Sequence, residues 1–277
     1  MPGPLPPHVA SRLPQPRRPS WWPRGLGLGA FVPSWCEVCR GACDASADDG
    51  ALCATCVARY AAPRARCRRC ALPLGHAADA CGDCLRDPPP YDRTVCAADY
   101  GFPWDRLLAG FKYQGRIELA PTLAARMVAA LHAAGAVPGR VPPGDEPPVD
   151  RVQPVPLAPE RLAERGYNQA WELARRIARR LRLEADATLL QRPVHTPQQV
   201  ALGSAAERRR NLASAFMVDP RRRHVVAGRH VALVDDVMTT GATARAAAAV
   251  LKRAGAATVS VWLLARTPAP LAGDDAG

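Results

Sequence analysis

The chain has 277 residues, nearly half of them apolar, so a substantial core is within reach and more than one domain fits the length. Lys and Arg total 37 against 25 Asp and Glu, a formal net charge of +12 that is almost all arginine. Such an excess favours anionic partners, nucleic acid or phosphorylated metabolites, although solvated arginine faces account for it equally well, and no apolar run approaches the length of a helical membrane span.

Residues 1–33 read as a disordered Pro- and Arg-rich leader; Arg17 and Arg18 precede an apolar stretch as in a secretion signal, but Pro19, Pro23 and Arg24 interrupt it. Eight of the ten cysteines then fall into four Cys-x-x-Cys pairs: Cys36 and Cys39, Cys53 and Cys56, Cys67 and Cys70, Cys81 and Cys84. Two thiolates separated by two residues hold one edge of a zinc tetrahedron from a single tight turn, so these pairs point to two structural zinc sites. Sequential pairing gives two ribbons in tandem over residues 34–88; an interleaved pairing satisfies the same arithmetic. A segment this short and polar draws much of its folding energy from metal, and thiolate ligands belong to a reducing compartment, here the cytoplasm. Cys96 reads as a small buried hydrophobe, and His76 as a loop residue.

After Pro88-Pro89-Pro90 the composition changes, and a second domain is expected over residues 91–266, with 267–277 a disordered tail. Residues 94–100 read as a strand, 104–111 as a short helix and 119–133 as a longer one with an apolar stripe, the two helices joined by a turn carrying Lys112 and Arg116. Residues 151–155 are strand-like. The run Pro154-Val155-Pro156-Leu157-Ala158-Pro159 makes a stiff exit, and Gly166 permits a sharp turn before a helix over 169–181. Arg161 and Arg165, with the amides of Asn168 and Gln169, suit an anion there; exposed arginines and Asn168 as a plain helix cap are the alternative. Residues 188–191 read as a further strand, and 193–211 as a mobile active-site loop or solvated filler. Arg221, Arg222 and Arg223 form a second cationic cluster.

The most informative stretch is residues 231–243, Val-Ala-Leu-Val-Asp-Asp-Val-Met-Thr-Thr-Gly-Ala-Thr. An apolar strand ends in Asp235 and Asp236, at the carboxyl end of a parallel sheet where open α/β folds bind ligands. The N–H groups of Thr239, Thr240, Gly241 and Ala242, with the hydroxyls of Thr239, Thr240 and Thr243, then face a phosphate at a helix amino end. A helix over 243–254, a Gly255 cap and a strand over 258–264 complete the pattern. From Arg151 onward strands alternate with helices, which predicts an α/β fold with a mostly parallel sheet flanked by helices.

Residues 231–243 resemble the phosphoribosyl diphosphate (PRPP) loop of type I phosphoribosyltransferases. Joined to the four cysteine pairs, Phe111-Lys112-Tyr113, Pro154-Val155-Pro156-Leu157, Arg165-Gly166-Tyr167-Asn168-Gln169, and Gln199 with Arg208 and Asn211, the chain is similar to the ComF (ComFC) family. Those proteins place a small double zinc ribbon before a phosphoribosyltransferase domain and are linked in some bacteria to natural transformation. The resemblance implies that Asp235 and Asp236 hold the ribose hydroxyls, that Thr239, Thr240, Gly241, Ala242 and Thr243 bind the 5-phosphate, and that Arg165, Gly166 and Arg161 face the diphosphate. It implies magnesium bound with PRPP, and a closing loop that carries Gln199, Arg208 and Asn211. Two readings follow: a phosphoribosyltransferase of unknown acceptor, or a non-catalytic PRPP- or nucleotide-binding module that engages single-stranded DNA or a DNA-uptake helicase.

Overall fold

The computed structural model describes residues 34–43, 51–75, 79–137, 147–192 and 215–268. The leader, His76, and Gln199, Arg208 and Asn211 lie outside the described residues.

The run His230–Met238 contains four consecutive fully buried residues, Val231, Ala232, Leu233 and Val234, which is the composition of a strand covered on both faces. It forms the central strand β8. Numbered in chain order, the main sheet contains β3 (Arg93–Asp99), β4 (Arg151–Pro154), β5 (Glu184–Ala185), β8 and β9 (Thr258–Arg266). Its order is β3-β9-β8-β4-β5, and every pairing is parallel. Alternation along β8 sends Ala232 and Val234 to one face and Val231 and Leu233 to the other, because successive side chains in a strand point oppositely.

On the first face pack α3 (Trp104–Tyr113), α4 (Ala120–Ala133) and α6 (Gln169–Leu181), which supply Leu108, Leu123, Met127, Leu173 and Ile177. On the second packs α7 (Ala242–Arg253), through Ala247, Ala248 and Leu251. Gly255, at φ +103°, closes the turn after α7; a Cβ there would stand 3.3 Å from Ala227 Cα. These bounds lie within one or two residues of those read from periodicity.

Two local features differ from the sequence reading. Residues Pro159–Arg165 form a helix, α5, where a stiff proline-rich exit was expected; Pro159 sits in the first turn, where its missing N–H would have no helical partner anyway. Leu190–Gln191 (β6) pairs antiparallel with Met217–Val218 (β7), outside the main sheet, whose edge is instead β5.

The cysteine-rich segment carries a short hairpin, β1 (Ser34–Trp35) with β2 (Ala42–Cys43), and two short helices, α1 (Ala54–Tyr60) and α2 (Gly82–Arg86). Cys36, Leu52, Cys56 and Ala61 share a core with α3 and α4. Trp104 Nε1 donates to Tyr60 O at 2.7 Å, Ala51 N to Thr122 Oγ1 at 3.1 Å, and Arg116 pairs with Glu37 at 2.9 Å. No helix among the described residues is long and apolar enough to cross a membrane.

Candidate functional site

The carboxyl end of β8 delivers two adjacent acids in opposite directions. Asp235, partly exposed, lines a small open cleft together with Val237, Met238, Thr239, Thr240, Gly241, Ala242, Thr243 and Ala244. Asp235 and residues 239–243 are therefore side by side. Thr239 and Thr240 are exposed, and Gly241 adopts φ +79°, a left-handed conformation that a residue with a Cβ enters at a cost. A Cβ on Gly241 would also stand 3.4 Å from Met238 Sδ and 3.5 Å from Tyr91 Oη. Beyond it α7 begins, and the first turn of a helix leaves N–H groups without intrahelical acceptors. The cleft thus pairs a carboxyl group with anion-binding backbone, which suits a polyol phosphate.

Asp236 turns toward α3. Its Oδ1 lies 3.1 Å from Lys112 Nζ, both side chains being largely buried. Its Oδ2 is buried and has no hydrogen-bond partner among the described residues, which leaves acceptor capacity unused at the end of the strand. Burial, followed by the neighbouring Asp236 carboxylate, raises the Asp235 carboxyl to about 8, against the opposing pull of the Asp236 N–H and Lys112. The raised Asp235 carboxyl thus sits beside an Asp236 carboxyl group that is paired with Lys112. The sequence reading placed Lys112 in a turn and in the Phe111-Lys112-Tyr113 motif without a partner; it lies in the last turn of α3, and its pairing with Asp236 depends on α3 crossing the end of β8, a nonlocal contact.

The arginine-bearing turn docks on the same helix. Tyr167 Oη donates to the Phe111 carbonyl, the Phe111 and Tyr167 rings lie 5.8 Å apart, and the Arg165 guanidinium stands 5.0 Å from the Tyr113 ring centroid. Gly166 takes φ +75° at the end of α5. Asn168 caps α6 by accepting from Ala170 N and Trp171 N, and its Nδ2 donates to Val155 O at 3.1 Å. Arg161 is exposed on α5. Burial, followed by the Arg161 charge, lowers Arg192, whose guanidinium stands 5.4 Å from the Phe216 ring centroid. Arg192 was not singled out from the sequence, since only the packing of β6 against Phe216 brings it there.

The eight paired cysteines fall into two groups, Cys36, Cys39, Cys53 and Cys56, and Cys67, Cys70, Cys81 and Cys84; within each, the four sulfurs lie within 4.8 Å of one another. The grouping is sequential. A zinc tetrahedron with bonds of about 2.3 Å has edges of about 3.8 Å, and the Cys39–Cys53 and Cys70–Cys81 sulfurs are 3.7 and 3.6 Å apart. Backbone N–H groups of Cys53 and Cys81 approach Cys36 Sγ and Cys67 Sγ at 3.4 and 3.3 Å, partners that stabilise thiolates. Both groups fit zinc. After each leading pair a residue other than glycine adopts positive φ, Arg40 at 61° and Ala71 at 58°. That conformation costs roughly 1 kcal/mol or more and persists because the surrounding turn fixes it.

The phosphoribosyl transferase domain family matches residues 168–277. The chain is 37% identical over 237 residues to the DNA utilization protein YhgH of Escherichia coli O157:H7, covering 85% of this chain and 98% of that one. It is 34% identical over 200 residues to competence protein F of Haemophilus influenzae, covering 72% of this chain and 84% of that one. Among solved structures, the glutamine PRPP amidotransferase from B. subtilis is similar at 20% identity and a TM-score of 0.33, covering 54% of this chain and 26% of that one.

Proposed function

The chain belongs to the ComF family of DNA utilization and competence proteins, and from that premise we propose that it binds PRPP with magnesium and serves DNA uptake. One observation carries the PRPP reading: Asp235 shares a single cleft with Thr239, Thr240, Gly241, Ala242 and Thr243, while the neighbouring Asp236 has a buried oxygen with no partner among the described residues. In this reading the two acids take the ribose hydroxyls, and the loop N–H groups and threonine hydroxyls take the 5-phosphate. Arg165, Gly166 and Arg161, joined by Arg192, face the diphosphate. Magnesium would be held by one or two carboxylates and by ligand oxygens, and would offset diphosphate charge.

Transfer would break the C1–O bond to diphosphate as a nucleophile approaches the opposite face, and positive charge would develop on the ribose. Asp236, positioned by its pairing with Lys112, would stabilise that charge electrostatically. The arginines would stabilise the departing diphosphate, and residues 193–211, which contain Gln199, Arg208 and Asn211, would exclude water. Single-stranded DNA or a DNA-uptake helicase is the proposed macromolecular partner, met by exposed cations such as Arg221 and Arg223.

The test is diphosphate release from PRPP and magnesium across a panel of purine and pyrimidine bases, with single-stranded DNA binding measured over a salt series. Release dependent on one base establishes transferase activity. PRPP binding without release from any base establishes the non-catalytic module. DNA affinity that does not fall with salt removes the arginine clusters from the account.

A further inference from the structure

The loop carbonyls preceding Thr240 are held by one side chain from β9. Arg266 is 5% exposed, and among the described residues its hydrogen bonds go to backbone carbonyls: the two hydrogens of Nη1 are shared among Met238 O at 3.0 Å, Thr239 O and Thr267 O at 2.6 Å, while Nε donates to Cys70 O at 2.9 Å. Met238 and Thr239 open the phosphate loop. Cys70 is the second thiol of the second cysteine group. A single planar guanidinium therefore spans from that group to the loop, and its donors are fixed relative to one another.

The second group reaches the loop's surroundings by three further routes. Thr94 of β3 donates through N to Arg68 O at 2.7 Å and through Oγ1 to Arg69 O at 2.5 Å. Arg69 Nη1 donates to Tyr91 O at 3.3 Å, and Tyr91 Oη abuts Gly241. Arg245 of α7 donates to Asp87 O at 2.7 Å and pairs with the Asp87 carboxylate at 3.2 Å, just beyond the helix that carries Cys84. The first group is placed differently. Its neighbours are α3, the turn after it and α4, through Tyr60 with Trp104, Glu37 with Arg116 and Ala51 with Thr122.

We propose that the second cysteine group is a metal-dependent brace of the phosphate loop, with Arg266 as the positioning residue that transmits it. Metal at Cys67, Cys70, Cys81 and Cys84 fixes the turn that presents the Cys70 carbonyl. Its loss frees that carbonyl, lets the guanidinium shift, and releases the carbonyls of Met238 and Thr239. Phosphate-ester affinity then follows occupancy of the second group and not of the first. The inference rests on the phosphate-loop reading above.

The experiment titrates PRPP and magnesium calorimetrically into zinc-loaded wild type, Arg266→Lys, Arg266→Gln, Cys81→Ser and Cys39→Ser. Zinc content and hydrogen–deuterium exchange over residues 238–243 are measured on the same samples. Expected are an affinity loss of about tenfold for Arg266→Gln and for Cys81→Ser, a smaller loss for Arg266→Lys, and a change within about twofold for Cys39→Ser. Faster loop exchange accompanies each loss. Wild-type affinity in folded Arg266→Gln, or equal losses in Cys39→Ser and Cys81→Ser, overturns the brace. If Arg266→Gln does not fold, Cys81→Ser decides, since it leaves the guanidinium in place. A wild type that binds no PRPP refutes the phosphate-loop reading instead, while loop exchange in Cys81→Ser against Cys39→Ser still tests the brace.

Discussion

Replacing Lys112 with Met removes the only charge that the described residues set against Asp236 while keeping most of the side-chain volume. The 3.1 Å separation corresponds to a gross attraction of about 5 kcal/mol at an effective dielectric of about 20. Truncating one partner of a buried pair costs roughly 3–5 kcal/mol, because the other charge is left unpaired. Water reaches the lysine, whose side chain is 18% exposed, so the low end applies, about 3 kcal/mol. For a unit of this size that is a fall in Tm of about 6–12 °C. Thermal unfolding of wild type, Lys112→Met, Asp236→Asn and the double variant checks it, and the double variant should recover about 2 kcal/mol relative to additivity. A loss below about 1 kcal/mol, as for an exposed pair, or strict additivity, would refute the pairing.

The acid pair also makes stability pH-dependent. Asp235 is raised from 3.8 to about 8, so it binds its proton more tightly folded than unfolded. Its contribution is full below about pH 3.8 and is lost as pH rises through about 8; denaturant midpoints compared at pH 6 and pH 9 should show a smaller decline in Asp235→Asn. Asn168→Ala removes the α6 cap and the bond to Val155, a loss of about 1–2 kcal/mol in urea unfolding; a loss below about 0.3 kcal/mol would contradict it. Gly241→Ala forces a Cβ into the left-handed region and against Met238, and should cost about 1–2 kcal/mol with weaker PRPP binding; unchanged Tm and affinity would count against the loop geometry. Trp104→Phe leaves the Tyr60 carbonyl without its 2.7 Å donor and should cost about 1–3 kcal/mol in the same assay, whereas no loss would dissociate α1 from the core.

What the sequence made legible is what is contiguous in it. Residues 231–243 hold a strand, two acids and a helix start in one run, so period and motif sufficed to place Asp235 beside Thr239 to Thr243. The long helices α4, α6 and α7 follow from apolar spacing, and the cysteine pairs from their own arithmetic. Arithmetic could not choose between sequential and interleaved pairing, because that depends on how the knuckles fold together. Lys112, Arg192 and Arg266 were unreadable for a related reason: each acquires its role from a contact with a distant segment, Asp236 for the first, Arg161 and Phe216 for the second, Cys70 and Met238 for the third. The helix α5 was hidden by Pro159 and the prolines before it, since the effect of a proline depends on its position within a turn.

The central claim is that the acids at the end of β8 and the loop after them form a PRPP site. Calorimetric titration of PRPP with magnesium into wild type and into the Asp235→Asn, Asp236→Asn double variant tests it most directly. Saturable binding by the wild type, weakened at least about tenfold in a folded double variant, is the expected result. Equal affinity in the two proteins, or no binding by zinc-loaded wild type, would contradict the account.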